Sequence, residues 1–361
     1  MKKIIILFLA VLVFYPIMCL AENNIKDLIA NMIIIGFDGD RINGKEHFQR
    51  IFNGYTPGGV ILFDRDYHHR DRVKNIRSPK QLKNLTKELR LYAGKPILIA
   101  VDQEGGKVAR LKPRDGFNET SSAKWIGEHS PEIAKKQYDD LALELKQEGI
   151  NCDFAPVVDL ALNPNNFVIV GLERSYGASP NKVVEMARIF CNALHQQGIV
   201  CVLKHFPGHG SSSGDSHKGF VDVSLTWQKQ ELVPYKILIK EGLADMIMTA
   251  HVFNKQLDPI YPATLSKKIN TDLLRNKIGF KGVIVSDDLQ MKAITSQYSL
   301  AQAVSLAINA GVDMLIFGNQ LAKISLSEVV DCIYRQVQQG KISLDRIYEA
   351  NLRIKKIQSK L

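Results

Sequence analysis

The residues best suited to chemistry are concentrated in one segment, residues 204–217, which holds a lysine, three histidines and an aspartate. Asp215 and His217 stand two residues apart, a spacing that allows the carboxylate to orient the imidazole on an extended or turning loop. A His–Asp pair of this kind transfers protons near neutral pH. The glycines of the segment would let the loop close over a ligand. The segment therefore predicts acid–base chemistry.

Other interpretations of this segment remain open. His205, His209, Asp215 and His217 are residue types that bind zinc, although the H-E-x-x-H spacing of zinc hydrolases is absent. Residues 210–214 match the G-x-S-x-G pattern of serine hydrolases, but that pattern requires a direct strand-to-helix turn. The histidines could also simply lie at the surface of a flexible loop.

A second candidate group is carried by a buried strand. Asp287 follows the apolar run 282–286, so a rigid element fixes its carboxylate, as a nucleophile or base requires. Asp288 is the better candidate for a plain salt bridge to a lysine or arginine. Lys204 and Arg174 are cationic donors that could hold the hydroxyl groups of a ligand or keep Asp287 ionised.

The elements that must position these residues alternate along the chain. Helical stretches that end at Gly149, Gly198, Gly242 or Gly311 separate short apolar runs typical of strands buried on both faces. The pattern predicts an α/β fold, a single (β/α)₈ TIM-like barrel, with a doubly wound open sheet as the alternative. The predicted strands are 32–36, 59–63, 97–101, 152–157, 199–203, 246–250, 283–286 and 314–317, and the predicted helices are 79–92, 132–148, 180–197, 229–242 and 300–310.

Polar residues follow six of the predicted strands. Functional side chains of such barrels lie at the C-terminal ends of the strands, so these residues should converge on one polar ligand. They are Asp64 to Asp66, Asp102 to Glu104, Asp159, Lys204 with His205, His251, and Asp287 with Asp288.

Composition narrows the class of protein. The 361 residues are 45% hydrophobic and 23% charged, which excludes a disordered chain, a collagen-like fibre and a disulfide-stapled miniprotein. The formal charge is +10, yet no run of five like charges occurs, which argues against nucleic-acid binding. An anionic polymer would suit this charge.

The N-terminus has the features of an export signal. Lys2 and Lys3 precede an apolar run over 4–15, and small residues precede Glu22. We expect residues 1–21 to be a cleaved signal peptide and the protein to be periplasmic or secreted, without stable membrane insertion. A retained membrane anchor is the alternative. Residues 22–361 would then form one catalytic barrel, with closing helices after Gly318.

Four cysteines remain beyond that segment: Cys152, Cys191, Cys201 and Cys332. None forms a C-x-x-C pair. An exported chain could join two of them, with no pairing specified by the sequence. We expect buried free thiols.

Several motifs occur together in one order. They are VDQEGG (101–106), ERSY (173–176), KHFPGHG (204–210) with DSH (215–217), and SDDL (286–289). This combination resembles glycoside hydrolase family 3, specifically its β-N-acetylhexosaminidase branch, and the likeness runs from about residue 26 to 320.

The resemblance implies a retaining exo-glycosidase that removes terminal β-linked N-acetylglucosamine, typically from peptidoglycan fragments, without a metal or other cofactor. It implies that Asp287 attacks the anomeric carbon to form a covalent glycosyl-enzyme, and that His217, partnered by Asp215, is the acid and base. It assigns binding of the terminal sugar to Asp102, Arg110, Arg174, Lys204 and His205. An N-acetylglucosaminide phosphorylase on the same fold, a metal-dependent amide hydrolase and a non-catalytic cell-wall sugar-binding protein are the alternatives.

Overall fold

A closed barrel of parallel strands forms the centre of the protein, in a computed structural model that describes residue 22 and residues 24–361. Ten strands follow one another along this part of the chain: β1 (Ile33–Ile35), β2 (Gly59–Ile61), β3 (Leu98–Val101), β4 (Cys152–Asp153), β5 (Val200–Phe206), β6 (Val221–Asp222), β7 (Met246–Thr249), β8 (Val252–Phe253), β9 (Val283–Asp288) and β10 (Met314–Phe317). Eight of them form the barrel, in the order β1-β10-β9-β7-β5-β4-β3-β2. Each corresponds to one predicted strand, so the (β/α)₈ barrel is confirmed. The open-sheet alternative is wrong because β1 pairs with β10 and closes the sheet.

The barrel strands are mainly apolar, without alternation, because the core covers one face and helices cover the other. Two strands each carry an extra residue near the C-terminal end. In β5, Leu203 pairs with Ile247 and Phe206 with Thr249, so β5 advances three residues where β7 advances two. In β9, Val285 pairs with Met314 and Asp288 with Ile316, again three steps against two. Such bulges re-aim side chains.

The helices surround the barrel. They are α1 (residues 24–30), α2 (Lys45–Ile51), α3 (Pro79–Ala93), α4 (Ala123–Gly127), α5 (Pro131–Gln147), α6 (Pro180–Gln196), α7 (Val233–Lys240), α8 (Lys292–Thr295), α9 (Leu300–Ala310), α10 (Leu326–Gln338) and α11 (Leu344–Gln358). The five predicted helices correspond to α3, α5, α6, α9 and a 3₁₀ turn (Lys229–Leu232) that continues into α7. Gly149, Gly198, Gly242 and Gly311 lie in the left-handed region within two residues of a helix end, as predicted.

Three irregular features were not anticipated. The strands β6 and β8 form a separate two-stranded parallel sheet beside the barrel mouth. Two π-helical segments, Phe167–Gly171 and Lys268–Ile278, interrupt the regular connections.

The last two helices, α10 and α11, follow Gly318, in the part of the chain where closing helices are expected.

The expectation of free cysteines is wrong for one pair. Cys191 on α6 and Cys201 on β5 form a disulfide. The two Cα atoms lie 5.6 Å apart because α6 packs on β5, the barrel strand that directly follows it in the chain. Cys152 and Cys332 are buried free thiols, as expected.

The predicted signal peptide, residues 1–21, lies outside the described residues. Across the helices of residue 22 and residues 24–361, none combines the length and apolar character needed to span a membrane.

Candidate active site

A cavity of about 490 Å³ opens at the C-terminal ends of the barrel strands. All eight residues predicted for the site line it, although they come from five different parts of the chain. They are Asp102, Arg110, Arg174, Lys204, His205, Asp215, His217 and Asp287. The structure therefore brings the complete predicted set to one place.

The cavity wall contains a buried ion-pair network. Lys204 Nζ donates to Asp102 Oδ1 (2.9 Å) and lies 2.6 Å from Glu104 Oε1. Arg174 binds Glu104 through two parallel hydrogen bonds of 2.7 Å, from Nε and Nη2. Arg110 Nη2 donates to the second oxygen of Asp102 at 3.1 Å. Each charge thus has an opposite partner, which fixes the direction of every donor in the wall.

Burial and ion pairing shift the pKa values of these groups in opposite directions. Burial alone would raise the carboxyl pKa values, but Lys204, Arg110 and Arg174 outweigh it and hold the pKa values of Asp102 and Glu104 below their usual range. Burial would likewise lower the pKa of Lys204, but the two carboxylates raise it. Asp102, Glu104, Arg174 and Lys204 are therefore charged at neutral pH.

His205 is oriented by a second carboxylate. Its Nδ1 lies 2.7 Å from Asp159 Oδ2, and its Nε2 lies 3.2 Å from Arg174 Nη2. Because a guanidinium only donates, these partners assign Nε2 of His205 as acceptor and Nδ1 as donor. Asp159 is 1% exposed and also accepts from the backbone N–H of His209 (2.8 Å).

The bulges explain how adjacent residues reach one cavity. Side chains of consecutive strand residues normally point to opposite faces. The extra residue in β5 falls where Lys204 and His205 lie, and the extra residue in β9 falls beside Asp287 and Asp288. All four residues consequently line the cavity.

Asp287 is held as a carboxylate. Its Oδ1 accepts a hydrogen bond of 2.8 Å from the backbone N–H of Asp288. Burial would raise the pKa of Asp287, but its electrostatic interactions with His251, His205 and His217, together with the backbone hydrogen bond from Asp288, outweigh it and lower that pKa. Histidines, rather than the anticipated Lys204 and Arg174, are thus the main groups that favour the ionised form.

Asp288 does not take the salt-bridge role expected from the sequence. Within the described chain it forms no ion pair, and its Oδ1 accepts from the backbone N–H of Gln290 at 2.9 Å. Burial, with the adjacent charge of Asp287, raises the pKa of Asp288 to about 7. Its backbone carbonyl also accepts from Nε2 of His251 (2.9 Å), which ties β9 to the residue that follows β7.

Asp215 and His217 form a pair on the loop after β5. Asp215 Oδ1 lies 3.0 Å from Nδ1 of His217 and accepts the backbone N–H of the same residue at 3.0 Å. Burial would raise the pKa of Asp215, but its hydrogen bonds and the charge of His217 lower it. The ionised carboxylate therefore accepts a hydrogen bond from Nδ1–H of His217. Among the described residues Nε2 of the half-exposed imidazole has no hydrogen-bond partner, so it is the nitrogen available for proton exchange.

Two competing interpretations of the loop, a zinc site and a serine nucleophile, find no support in this geometry. Among the residues that the structure describes, no three His, Cys, Asp or Glu side chains converge as metal ligands. His209 instead binds the hydroxyl of Ser212 (2.8 Å), and burial lowers the pKa of His209 to about 4. The G-x-S-x-G match lies in a loop, and its central Ser212 is fully buried.

Sequence reasoning missed three partners of the site. Glu104 and Asp159 were noted only as polar residues after strands, although each holds a predicted site residue in place. Asn166 carried no signal, yet its side-chain amide reaches the loop after β5 at His209 O (2.8 Å) and Gly210 O (3.2 Å). The one clue to the ion-pair network in the sequence was Glu104, a carboxylate that lies two residues after Asp102.

Comparison with known proteins gives a consistent result. The model of the glycosyl hydrolase family 3 N-terminal domain matches residues 22–357. A β-hexosaminidase from Tolumonas auensis is 37% identical over 301 residues, which cover 80% of this chain and 83% of that protein. A β-hexosaminidase from Nitrosomonas eutropha is 37% identical over 276 residues, 73% of this chain and 74% of that protein.

Solved structures point to the same family as the sequence relatives. The family 3 β-N-acetylglucosaminidase from Paenibacillus sp. FPU-7 superposes with a TM-score of 0.83 at 30% identity, over 93% of this chain. This chain spans 62% of that protein. The β-N-acetylhexosaminidase from Beutenbergia cavernae superposes with a TM-score of 0.82 at 25% identity, over 93% of this chain and 98% of that one. From its fold, its site and these relatives, the chain is a glycoside hydrolase and belongs to glycosyl hydrolase family 3.

Proposed function

We propose that this glycoside hydrolase is a retaining exo-β-N-acetylglucosaminidase that releases terminal N-acetylglucosamine from peptidoglycan-derived or related glycans through a covalent intermediate. One observation carries the proposal: an ionised carboxylate on a rigid bulge, Asp287, shares a single cavity with a loop-borne His–Asp pair. A nucleophile and a separate proton donor are the two groups that a retaining mechanism requires.

In the first step, a carboxylate oxygen of Asp287 attacks the anomeric carbon, and the bond from that carbon to the leaving oxygen breaks. His217, protonated, gives its Nε2 proton to the leaving oxygen, so the aglycone departs as a neutral alcohol. The positive charge that develops on the sugar ring is stabilised by the adjacent carboxylate of Asp287.

In the second step, neutral His217 takes a proton from water, whose oxygen attacks the anomeric carbon and frees Asp287. Asp215 stays ionised throughout and holds Nδ1 of the imidazole. The same histidine therefore acts first as acid and then as base, which restores the enzyme.

The ion-pair network is suited to hold the sugar. Asp102, Arg110, Arg174, Lys204 and His205 present fixed donors and acceptors to the hydroxyl groups of one ring. Their ion pairs fix their positions before substrate arrives, so little ordering is needed on binding. We assign this wall to the terminal sugar.

Cell-wall glycans are the proposed substrate because the predicted signal peptide would export the enzyme to the periplasm or outside the cell. The relatives named β-hexosaminidase support the N-acetylated terminal sugar. Without Lys2 and Lys3 of the predicted signal peptide, the formal charge of +10 becomes +8 (10 − 2), which suits an anionic wall polymer.

The proposal is tested by hydrolysis of p-nitrophenyl β-N-acetylglucosaminide and the matching β-glucoside. We expect wild type to prefer the first. Asp287→Asn should lose at least 10³-fold in kcat because no covalent intermediate forms. His217→Ala should lose 10²- to 10⁴-fold on a disaccharide but less on the activated aryl substrate, whose leaving group needs no proton.

His195→Ala is a matched control, since His195 pairs with Asp245 at 2.7 Å and lies outside the cavity lining.

In His217→Ala, slow attack by water should let an N-acetylglucosaminyl adduct accumulate on Asp287, which mass spectrometry of the intact protein would detect. Turnover that requires added phosphate and yields the sugar 1-phosphate would instead identify a phosphorylase. No wild-type turnover of either sugar, with sugar binding retained, would identify a binding protein.

A further inference from the structure

Phe167 is an exposed aromatic side chain in the wall of the active-site cavity. It retains 62% of its accessible surface. Across the described residues, only Phe167 and Tyr67 are both large exposed apolar side chains and part of the cavity lining. Tyr67 already packs against Arg70, whose guanidinium lies 5.2 Å from the ring centre. No aromatic or cationic partner of Phe167 occurs in the part of the chain that is described.

The backbone that carries Phe167 is fixed from two sides. Phe167 begins the π-helical turn Phe167–Gly171, which Asn166 caps by accepting the backbone N–H of Ile169 (2.9 Å). Arg174 donates from Nη1 to the carbonyl of Val168 (3.3 Å) and from its backbone N–H to that of Ile169 (2.9 Å). Because the backbone that carries this exposed side chain is already fixed, it loses little conformational entropy when a ligand binds, which suits a recognition surface.

We propose that Phe167 is the stacking platform for the leaving group, and that the preferred substrates are therefore glycans in which a second pyranose ring follows the terminal sugar. The inference rests on the proposed function and extends it to the other side of the scissile bond. Arg174 joins the two sides, because it contacts the terminal-sugar network through Glu104 and the aromatic turn through Val168.

A pyranose ring is the occupant that fits this surface. Its C–H face is apolar and flat, whereas its edge carries hydroxyl groups, so it can cover an aromatic face while keeping its polar groups in water. A simple alcohol would leave the ring of Phe167 exposed and gain nothing from it. The apolar contact would therefore discriminate between leaving groups rather than between terminal sugars.

The platform is also linked to the loop that carries His217. Besides capping the aromatic turn, Asn166 donates through Nδ2 to the carbonyls of His209 (2.8 Å) and Gly210 (3.2 Å). One buried amide thus fixes the platform and the start of the loop relative to each other. Phe167 and His217 both line the cavity, so a ring stacked on Phe167 would share it with the proton donor.

The test compares Phe167→Ala with wild type on N,N′-diacetylchitobiose and on methyl β-N-acetylglucosaminide. We expect kcat/KM for the disaccharide to fall about tenfold and kcat/KM for the methyl glycoside to change less than twofold. Inhibition by free N-acetylglucosamine at concentrations that fill only the terminal site should be unchanged. Phe167→Trp should restore the disaccharide activity, because a larger aromatic face replaces the lost one.

Tyr348→Ala is the matched control, since Tyr348 is an exposed aromatic on α11 that does not line the cavity. If wild type hydrolyses both substrates and Phe167→Ala keeps the wild-type ratio of their kcat/KM values, the platform is refuted and the proposed function stands. If wild type hydrolyses neither substrate, the proposed function fails first. A parallel loss on both substrates would assign Phe167 a structural role and overturn the inference.

Discussion

Glu231 offers a sharp test of how burial controls ionisation beneath the histidine loop. It lies in the 3₁₀ turn before α7 and is 1% exposed. Its Oε1 accepts the backbone N–H of Gln228 (3.1 Å), whereas Oε2 has no hydrogen-bond partner among the described residues. A Cβ atom added at Gly208 would lie 2.6 Å from that Oε2, so the carboxyl packs directly under the loop. Burial raises the pKa of Glu231 from 4.5 to about 7.

The sign and size of the effect follow from this pKa. Because the pKa is higher in the folded protein than in the unfolded chain, the stability associated with Glu231 is fully present below pH 4.5 and is lost as pH rises through 7. A difference of roughly 2.5 pKa units at 1.36 kcal/mol each amounts to about 3 kcal/mol. Glu231→Gln keeps the shape of the side chain and cannot ionise, so it should escape this loss.

The assay is urea unfolding of wild type and Glu231→Gln at pH 5 and pH 8. We expect the free energy of unfolding of the variant, relative to wild type, to rise by about 2.5 kcal/mol between the two pH values, because at pH 5 the unfolded chain has already lost part of the full effect. Glu119→Gln, a substitution of an exposed glutamate, serves as the control and should show no such change. An equal difference between Glu231→Gln and wild type at both pH values would refute the reasoning.

Further predictions concern the site, the fold and the cofactor requirement. Glu104→Gln leaves Arg174 with one uncompensated buried charge and should destabilise the protein by about 3–5 kcal/mol in urea unfolding, with a loss of kcat/KM. The Cys191–Cys201 disulfide closes a short loop, with a separation of 10 residues, so a reductant should lower the free energy of unfolding by about 2–3 kcal/mol in wild type and not in the double serine variant. The lowered pKa of Asp287 predicts that the acid limb of kcat/KM, as Asp287 becomes protonated, lies below pH 3.8. We expect the rate of hydrolysis to be the same before and after dialysis of the enzyme against a chelator.

The barrel could be predicted because its signals are local. Every barrel strand overlaps a short, mainly apolar run, and glycines mark the ends of the intervening helices. Polar residues directly after such runs then had to converge at one mouth, and all eight predicted site residues do line one cavity.

The remaining features depend on contacts that the sequence does not display. The bulges that turn both Lys204 and His205 into the cavity depend on the register between β5 and β7, which no local pattern specifies. Asn166 is an ordinary loop residue until folding places it beside His209. The disulfide was equally inaccessible, because Cys191 and Cys201 become neighbours only when α6 packs on β5.

The loop that bears the His–Asp pair is fastened at both ends to the rest of the fold. At its start, the indole N–H of Trp227 donates to the carbonyl of Pro207 (3.0 Å), and at its end Val221 pairs with Val252 in the small sheet. Between these attachments, the carbonyl of the buried Ser216 accepts the backbone N–H of Ala293 (3.2 Å), so residues 213–220 are held at a third point. We expect these residues to be exchangeable for those of another family member where this contact is kept, so that proton-transfer properties can diversify independently of the sugar-binding wall.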